Sequence, residues 1–229
     1  MSQPPSPFLP RREGACEIYL VRHADATPDA SSPAAANFDD QPLNARGLEQ
    51  AQALARALGH EGFTALYTSP LRRCLETIMP LSDEANLSIS IEPDVREIRF
   101  DRQAPDLDRG QAQGRNGAGD LFHDGGMAVG AFAMRKGTFD GLPGAEPRAQ
   151  FRARVRDAID QLAADHPGER IAVCTHGGVV NVYVAVVLGL ERDFFVPVAN
   201  TAISVVRVRG TERIIVALNN ISHLRSLPQ

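Results

Sequence analysis

Short apolar runs alternate along this chain with segments of helical periodicity, and this alternation constrains the fold most. Segments with apolar residues at helical spacing lie between runs that are each long enough for one strand. Such a strand–helix alternation predicts an α/β fold, here a three-layer sandwich with a mostly parallel central sheet flanked by helices. The expected strands cover residues 17–21, 65–68, 87–91, 170–175, 202–208 and 213–219, and the expected helices cover about 44–58, a segment starting at Ser69-Pro70, 146–166 and 177–188.

The domain organisation follows from where the periodicity is lost. Residues 1–14 are rich in proline and serine and predict a disordered leader. Residues 15–229 suit a single domain, since single domains commonly reach about 200–250 residues. Within it, residues 98–147 are dense in glycine and aspartate and show no sustained period, except for a helix expected near 130–136. We therefore expect an irregular insertion that roofs the ligand site.

Composition narrows the functional classes. No stretch approaches the roughly 20 apolar residues that span a bilayer, so a cytoplasmic location is expected. The net charge of −4 predicts no nucleic-acid partner. Three cysteines far apart in the sequence give neither a disulfide framework nor zinc-ligand spacing, and no metal or cofactor is expected. The apolar segment 179–190 suits either the core or an interface, which leaves a homodimer open.

Polar residues that follow two of the predicted strands are the first candidates for a site. Arg22 and His23 follow the first strand, and His176 follows the strand at 170–175, so both histidines are expected at one sheet edge. Gly177-Gly178 then opens a helix whose N-terminus can receive an anion, with the two glycines letting the backbone approach it. Taken singly, each feature has a plain alternative, such as an incidental Arg-His pair or a tight turn.

Five segments together resemble one family. They are VRHADA, LNARGLEQA, YTSPLRRCLET, CTHGG and NNISHL, in this order between residues 18 and 224. VRHADA is similar to the segment that opens the histidine phosphatase superfamily, which includes cofactor-dependent phosphoglycerate mutases and many small phosphatases. The others are similar to its following helix, second arginine motif, second histidine motif and closing segment.

The resemblance implies a role for individual residues. His23 would be the nucleophile, and the phosphate would be bound by Arg22, Arg73, His176 and Gly177. Arg73 is chosen over Arg72 because the family's arginine precedes a small residue, here Cys74. Glu97 falls where many members carry the general acid, and Asp101 is the alternative.

The chain departs from the family pattern at four places. Arg99-Phe100-Asp101-Arg102 replaces the usual glycine-aromatic continuation after Glu97, Gly144-Ala145-Glu146-Pro147 fits the start of the next helix only in part, and two single positions differ near His23. Ala24 stands where the family usually has glycine, and Asp29 stands where many members have an asparagine that contacts the phosphate. A carboxylate at that point would repel the phosphate, so we expect either a rearranged loop or no such contact.

The chemistry implied is phosphoryl transfer to an imidazole and then to water. Two guanidinium groups and a protonated His176 would stabilise the charge on the transferred group without a metal. We therefore expect a metal-independent phosphomonoesterase that hydrolyses a small phosphorylated metabolite through a phosphohistidine intermediate. Two alternatives are a phosphoglycerate mutase-type transferase and a catalytically impaired member that binds a phosphorylated ligand.

Overall fold

One six-stranded mixed sheet organises the protein, for which a computed structural model describes residues 8–27, 40–100 and 127–227. The strand order is β3-β2-β4-β1-β5-β6, with β3, β2, β4 and β1 parallel and β5 and β6 antiparallel. The strands are β1 (Cys16–Arg22), β2 (Ala65–Thr68), β3 (Ile89–Ile91), β4 (Arg170–Thr175), β5 (Ile203–Arg209) and β6 (Glu212–Asn220), and the α-helices are α1 (Ala45–Leu58), α2 (Arg72–Ala85), α3 (Met127–Lys136), α4 (Arg148–Asp165) and α5 (Gly177–Leu188).

Successive side chains of the central strands point to opposite faces, and each face is buried by a different pair of helices. On β4, Ile171 and Val173 pack with α4 and α5, whereas Ala172 and Cys174 pack with α1 and α2. Parallel strands buried on both faces are expected to be apolar at nearly every position, and β4 is. The predicted α/β sandwich with its mostly parallel sheet is confirmed.

The second helix starts later than the sequence predicts. Ser69-Pro70 resembles a cap followed by the first helical residue, but α2 begins at Arg72, with Leu71 in the N-cap position and no side-chain capping bond. The Ser69 hydroxyl lies instead 2.8 Å from the His176 ring. A contact with a residue distant in the sequence has therefore replaced the local cap.

Two further predictions need correction or fall outside the described residues. The disordered leader was predicted to reach residue 14, but residues 11–13 form a 3₁₀ turn and Leu9 is buried. In the insertion, helix α3 starts three residues before the expected 130, and Phe100 pairs with Ala145 across its two ends. Residues 101–126, on which the predicted roof depends, lie outside the described part. None of the helices in the described ranges is long and apolar enough to cross a membrane.

Candidate active site

The register of two parallel strands brings the two motif histidines together. Arg22 on β1 is aligned with Thr175 on β4, so the next residue of each strand is a histidine at the carboxyl edge of the sheet. The backbone N–H of His23 donates to the Thr175 carbonyl over 2.8 Å. The ring centroids of His23 and His176 are 5.2 Å apart, with 60° between the ring planes.

The hydrogen bond of His23 fixes its tautomer. Nδ1 lies 2.7 Å from the carbonyl oxygen of Ala24, and because a carbonyl only accepts, Nδ1 must carry the proton. Nε2 then holds a free lone pair, and it has no hydrogen-bond partner in the described part of the chain. Burial lowers the pKa of His23 well below its ordinary value, and the charges of Arg73 and Arg22 lower it further. His23 is therefore a neutral imidazole at neutral pH, with one nitrogen available for attack.

Ala24 occupies the family's usual glycine position without disturbing this arrangement. Its methyl group is buried in a small cluster with Leu43 and Ala51. Its backbone N–H donates to the Thr77 hydroxyl over 2.9 Å, and its carbonyl still receives the proton of His23. The exchange of glycine for alanine therefore adds packing and leaves the backbone contact in place.

His176 is completely buried and also has a defined tautomer. An Nη2 proton of Arg73 points to its Nδ1 over 3.2 Å, and because a guanidinium only donates, Nδ1 is the acceptor. Nε2 must then carry the proton, which it donates to the Ser69 hydroxyl over 2.8 Å. Burial, with Arg73, His23, Arg22 and Arg96, lowers the pKa of His176 well below its ordinary value. Without a bound anion His176 is thus neutral, whereas the protonated His176 that the sequence predicts belongs to the step in which a phosphoryl group is transferred.

Arg22 and Arg73 lie beside the two histidines, whereas Arg72 lies on the surface. Arg22 donates through Nη1 to the Val198 carbonyl over 2.5 Å, and its buried Nε has no partner among the described residues. Burial lowers the pKa of Arg22, although the nearby Glu97 opposes this effect. Arg73 reaches His176, whereas Arg72 forms a surface ion pair with Glu76 and keeps 59% of its side chain exposed. The site therefore contains Arg22 and Arg73, and Arg72 lies outside it.

Glu97 meets the N-terminus of α5 next to His176. Its Oε2 accepts from the backbone N–H of Gly178 over 3.1 Å, and its Oε1 accepts from that of Ile98 over 3.1 Å. A Cβ at Gly178 would lie 2.1 Å from Glu97 Oε1, whereas a Cβ at Gly177 would lie 3.6 Å from the nearest Arg22 atoms. The sequence predicts that both glycines make room for a ligand. The close approach at Gly178 instead belongs to Glu97.

Asp101, the alternative acid, and Asp29, the predicted repulsive carboxylate, both lie outside the described residues. The described ranges contain no group of three or more His, Cys, Asp or Glu side chains arranged to hold a metal ion.

Several residues that support the site were missed by sequence reasoning. The Asn200 side chain donates to the His23 carbonyl over 3.1 Å, and the Thr201 N–H donates to the Arg22 carbonyl over 3.0 Å. Thr201 holds a left-handed backbone with φ of 52°, and its hydroxyl lies 3.1 Å from Nε2 of His223. Ser69 and Thr77, described above, were missed as well. Their positions in the sequence are the signal that could have found them. Ser69 directly follows β2, Thr77 lies on α2, and Asn200 and Thr201 precede β5, at the sheet edge where the histidines lie.

Comparison with known proteins places the chain in a family. The model of the histidine phosphatase superfamily (branch 1) matches residues 18–221. The chain is 31% identical to the metal-independent phosphoserine phosphatase of Arabidopsis thaliana, over 92% of this chain and 84% of the relative. It is 25% identical to a probable phosphoglycerate mutase, GpmB, of Serratia proteamaculans, over 76% of this chain and 75% of the relative.

A solved structure supports the same fold. The phosphoserine phosphatase of Entamoeba histolytica, crystallised with 3-phosphoglyceric acid, superposes with a TM-score of 0.64 at 19% identity, over 91% of this chain and 99% of that one. The match to the family model covers most of the chain and includes both histidine motifs. The chain therefore belongs to the histidine phosphatase superfamily, branch 1.

Proposed function

We propose that this chain is a metal-independent phosphatase that hydrolyses a small phosphate monoester through a phosphohistidine on His23. One observation carries the proposal. A neutral His23 with a free Nε2 lies 5.2 Å, ring centroid to ring centroid, from the buried imidazole of His176, and the positive charges of Arg22 and Arg73 act on both. This arrangement offers a nucleophile and the charge that stabilises a phosphoryl group in transfer.

In the first step Nε2 of His23 attacks phosphorus, and the P–O bond to the alcohol breaks. Arg22 and Arg73 neutralise the equatorial oxygens of the transferred group. His176 is neutral in the free enzyme, and a bound phosphate dianion favours its protonation because opposite charges raise the pKa of an imidazole. The proton that the leaving oxygen needs comes from the carboxyl group of Glu97.

In the second step water attacks the phosphorus of phosphohistidine. The Glu97 carboxylate, which lost its proton in the first step, takes one from the attacking water. The N–P bond breaks, and inorganic phosphate leaves with His23 again neutral at Nε2. The enzyme returns to its starting protonation state, so the cycle needs no metal-bound water.

The test is hydrolysis of para-nitrophenyl phosphate with and without EDTA, together with rapid-quench labelling by a ³²P-phosphomonoester. We expect turnover that EDTA leaves unchanged, and an acid-labile label on the wild-type chain. His23→Ala should lower kcat by ~10³-fold or more and abolish the label, because the nucleophile is lost. His60→Ala is the matched control, since His60 is exposed and lies at the end of α1, outside the site. EDTA-sensitive turnover, or label retained in His23→Ala, would refute the mechanism.

We further propose that the substrate carries a carboxylate beside its phosphate, as phosphoserine and phosphoglycerate do. The relatives named above act on or bind such compounds by name. Within this chain the support comes from Arg96, which adjoins Glu97. Its charge contributes to the lowered pKa of His176, and no carboxylate in the described ranges pairs with its guanidinium. One dianionic phosphate already has Arg22 and Arg73, so a third guanidinium suits a second acidic group.

A mutase would make a different product, so product analysis on the same purified protein distinguishes a mutase from a phosphatase. The resemblance to GpmB proteins keeps it open. A mutase supplied with 3-phosphoglycerate would return 2-phosphoglycerate, whereas the proposed phosphatase would return inorganic phosphate and glycerate. The cytoplasmic location and the homodimer that the sequence suggests stay predictions.

A further inference from the structure

One arginine outside the phosphate site uses every hydrogen-bond donor it has. Arg154, on α4, donates five bonds, and a guanidinium has five N–H groups. Nε and Nη2 bond the two carboxylate oxygens of Glu146 over 2.8 and 2.7 Å. The three remaining donors go to the carbonyls of Asp94, Arg96 and Glu97 over 2.8, 2.7 and 3.2 Å. The side chains of Arg154 and Glu146 are only 10% and 8% exposed.

The three carbonyls belong to the segment that carries Glu97. Residues 94–97 run from the short 3₁₀ turn after β3 toward the insertion, and they contain no α-helix or strand of their own. On the sheet side, the Thr175 hydroxyl donates to the Val95 carbonyl over 2.6 Å. On the other side Arg154 holds the carbonyls before and after Val95. The backbone of Glu97 is therefore fixed from α4 as well as from β4.

Glu146 links the far end of the insertion to this segment. Its backbone N–H donates to the Arg99 carbonyl over 2.8 Å, and its Oε2 accepts from the Arg99 N–H over 3.2 Å. Burial raises the pKa of Glu146, but the hydrogen bonds and charge of Arg154 outweigh this and leave the pKa below its ordinary value. Glu146 is thus an ionised partner for Arg154, and the pair joins α4, residues 94–97 and the end of the insertion.

We propose that Arg154, with Glu146, is a positioning residue for the general acid: it holds residues 94–97 so that the carboxyl group of Glu97 faces the leaving oxygen. This inference rests on the proposed function, which gives Glu97 the acid role. Arg154 itself makes its five bonds to Glu146 and to backbone carbonyls, so it acts through Glu97. A well-oriented donor is needed for proton transfer in the transition state, and small displacements reduce such catalysis strongly.

The leaving group gives a readout that a merely structural role would not move. An alkoxide, as from phosphoserine, must be protonated as it departs, whereas 2,4-dinitrophenolate leaves readily without a proton. For Arg154→Met we expect kcat/KM with phosphoserine to fall by ~100-fold, within the usual range for general acid catalysis. The kcat/KM with 2,4-dinitrophenyl phosphate should stay near that of the wild type, because kcat/KM reports the steps up to departure of the alcohol and not the later hydrolysis, in which Glu97 acts as base for both substrates. Arg154→Lys should have a kcat/KM with phosphoserine between those of the wild type and Arg154→Met, because one ammonium group cannot make the same five bonds.

Arg152→Met is the matched control on the same helix. Arg152 bonds Asp193 and the Leu190 carbonyl, whereas Arg154 bonds Glu146 and carbonyls within residues 94–97. Arg152→Met should change kcat/KM for the two substrates by the same factor. If Arg154→Met also lowers kcat/KM for both substrates equally, Arg154 is only a structural residue and the proposal is overturned.

Glu97→Gln separates failure of this inference from failure of the proposed function. Glu97→Gln should show the same selective loss of kcat/KM with phosphoserine. Adding Arg154→Met to Glu97→Gln should lower this kcat/KM little further, because both residues act on protonation of the leaving oxygen. If Glu97→Gln lacks the selective loss, the acid assignment itself is wrong. If Glu97→Gln has it and Arg154→Met lacks it, only the positioning role fails. Should Arg154→Met not fold, Glu146→Gln replaces it, with a smaller selective loss expected and an equal loss on both substrates contradicting the proposal.

Discussion

The two imidazoles of the site are held by different kinds of partner. The proton on Nδ1 of His23 goes to a backbone carbonyl, that of Ala24, which no side-chain substitution removes. His176 is held by side chains, with Arg73 at Nδ1, Ser69 at Nε2 over 2.8 Å and the weaker Cys74 Sγ at Nε2 over 3.5 Å. The Ser69 hydroxyl is the nearer acceptor for the ring proton of this completely buried imidazole, so it favours the tautomer in which the unprotonated Nδ1 faces Arg73. The orientation of His176 can therefore be tested without altering either histidine.

Ser69→Ala should weaken catalysis through His176. Loss of the hydroxyl leaves the buried N–H with only a weak acceptor, Cys74 Sγ at 3.5 Å. A net hydrogen bond is worth about 1 kcal/mol, so we expect kcat to fall by roughly fivefold. Steady-state kinetics with para-nitrophenyl phosphate measures the change. Ser82→Ala is the control, since its hydroxyl bonds the Leu87 carbonyl at the end of α2. A Ser69→Ala enzyme with wild-type kcat would show that this hydroxyl does not orient His176.

Arg96→Met tests whether the substrate carries a carboxylate. Phosphoserine and phosphoethanolamine differ by that group alone, so a guanidinium that binds it should favour only the first. We expect Arg96→Met to lower kcat/KM for phosphoserine by ~10-fold or more, the range of a lost charge-assisted hydrogen bond, and to leave phosphoethanolamine nearly unchanged. Arg99→Met, an exposed neighbour paired with Asp94 at 3.8 Å, is the control. An equal loss with both substrates would exclude the proposed carboxylate contact.

At the scale of the elements, the start of helix α1 packs closely against the backbone of the loop after His23. Asn44 caps the helix by accepting from the Gly47 N–H over 2.8 Å, and its own N–H donates to the Asp25 carbonyl over 3.1 Å. A Cβ on Gly47 would lie 2.1 Å from that carbonyl oxygen, so the backbone itself would have to move. The start of α1 and the loop that follows the nucleophile are therefore packed as one unit.

Gly47→Ala should destabilise the protein although alanine favours helices. Overpacking at a backbone contact commonly costs about 1–3 kcal/mol, which exceeds the gain in helix propensity. Urea unfolding would measure the loss in the free energy of unfolding. Gly130→Ala on α3 is the matched control because no described residue lies within 4 Å of its Cβ position, and it should leave stability unchanged or slightly higher. A Gly47→Ala variant as stable as the wild type would contradict the close packing.

The sequence predicts most elements here but fewer of the site's contacts. Apolar runs and helical spacing place β1, β4, α4 and α5 to within about two residues, because burial on both sheet faces leaves a strong pattern. Their strand ends place His23 and His176 at one edge. Ser69 was assigned to a cap because local signals cannot show that β2 ends beside β4. The five bonds of Arg154 also join segments far apart in sequence, which no local pattern reports.

At the scale of the whole molecule, the site holds two neutral imidazoles that burial and nearby arginines keep from charging. Both pKa values lie well below the ordinary value, with burial as the main cause. In the unfolded chain each histidine takes up a proton below about pH 6.5, while the folded protein does not. Unfolding therefore binds protons, and the free energy of unfolding must fall as the pH drops below that point. His223, whose pKa burial also lowers, acts in the same direction.

His23→Ala should consequently make the protein less sensitive to mild acid. Each such histidine reduces the free energy of unfolding by up to about 1.4 kcal/mol per pH unit below about pH 6.5, and the variant has one fewer. The buried carboxylates have lowered pKa values and stay ionised in this range, so they do not mask the effect. Urea unfolding at pH 7.0 and 5.5 should show a smaller loss for His23→Ala than for the wild type, while exposed His60→Ala should behave as the wild type does. Equal losses in all three proteins would mean that His23 is protonated in the fold, which would remove the neutral nucleophile on which the proposed reaction depends.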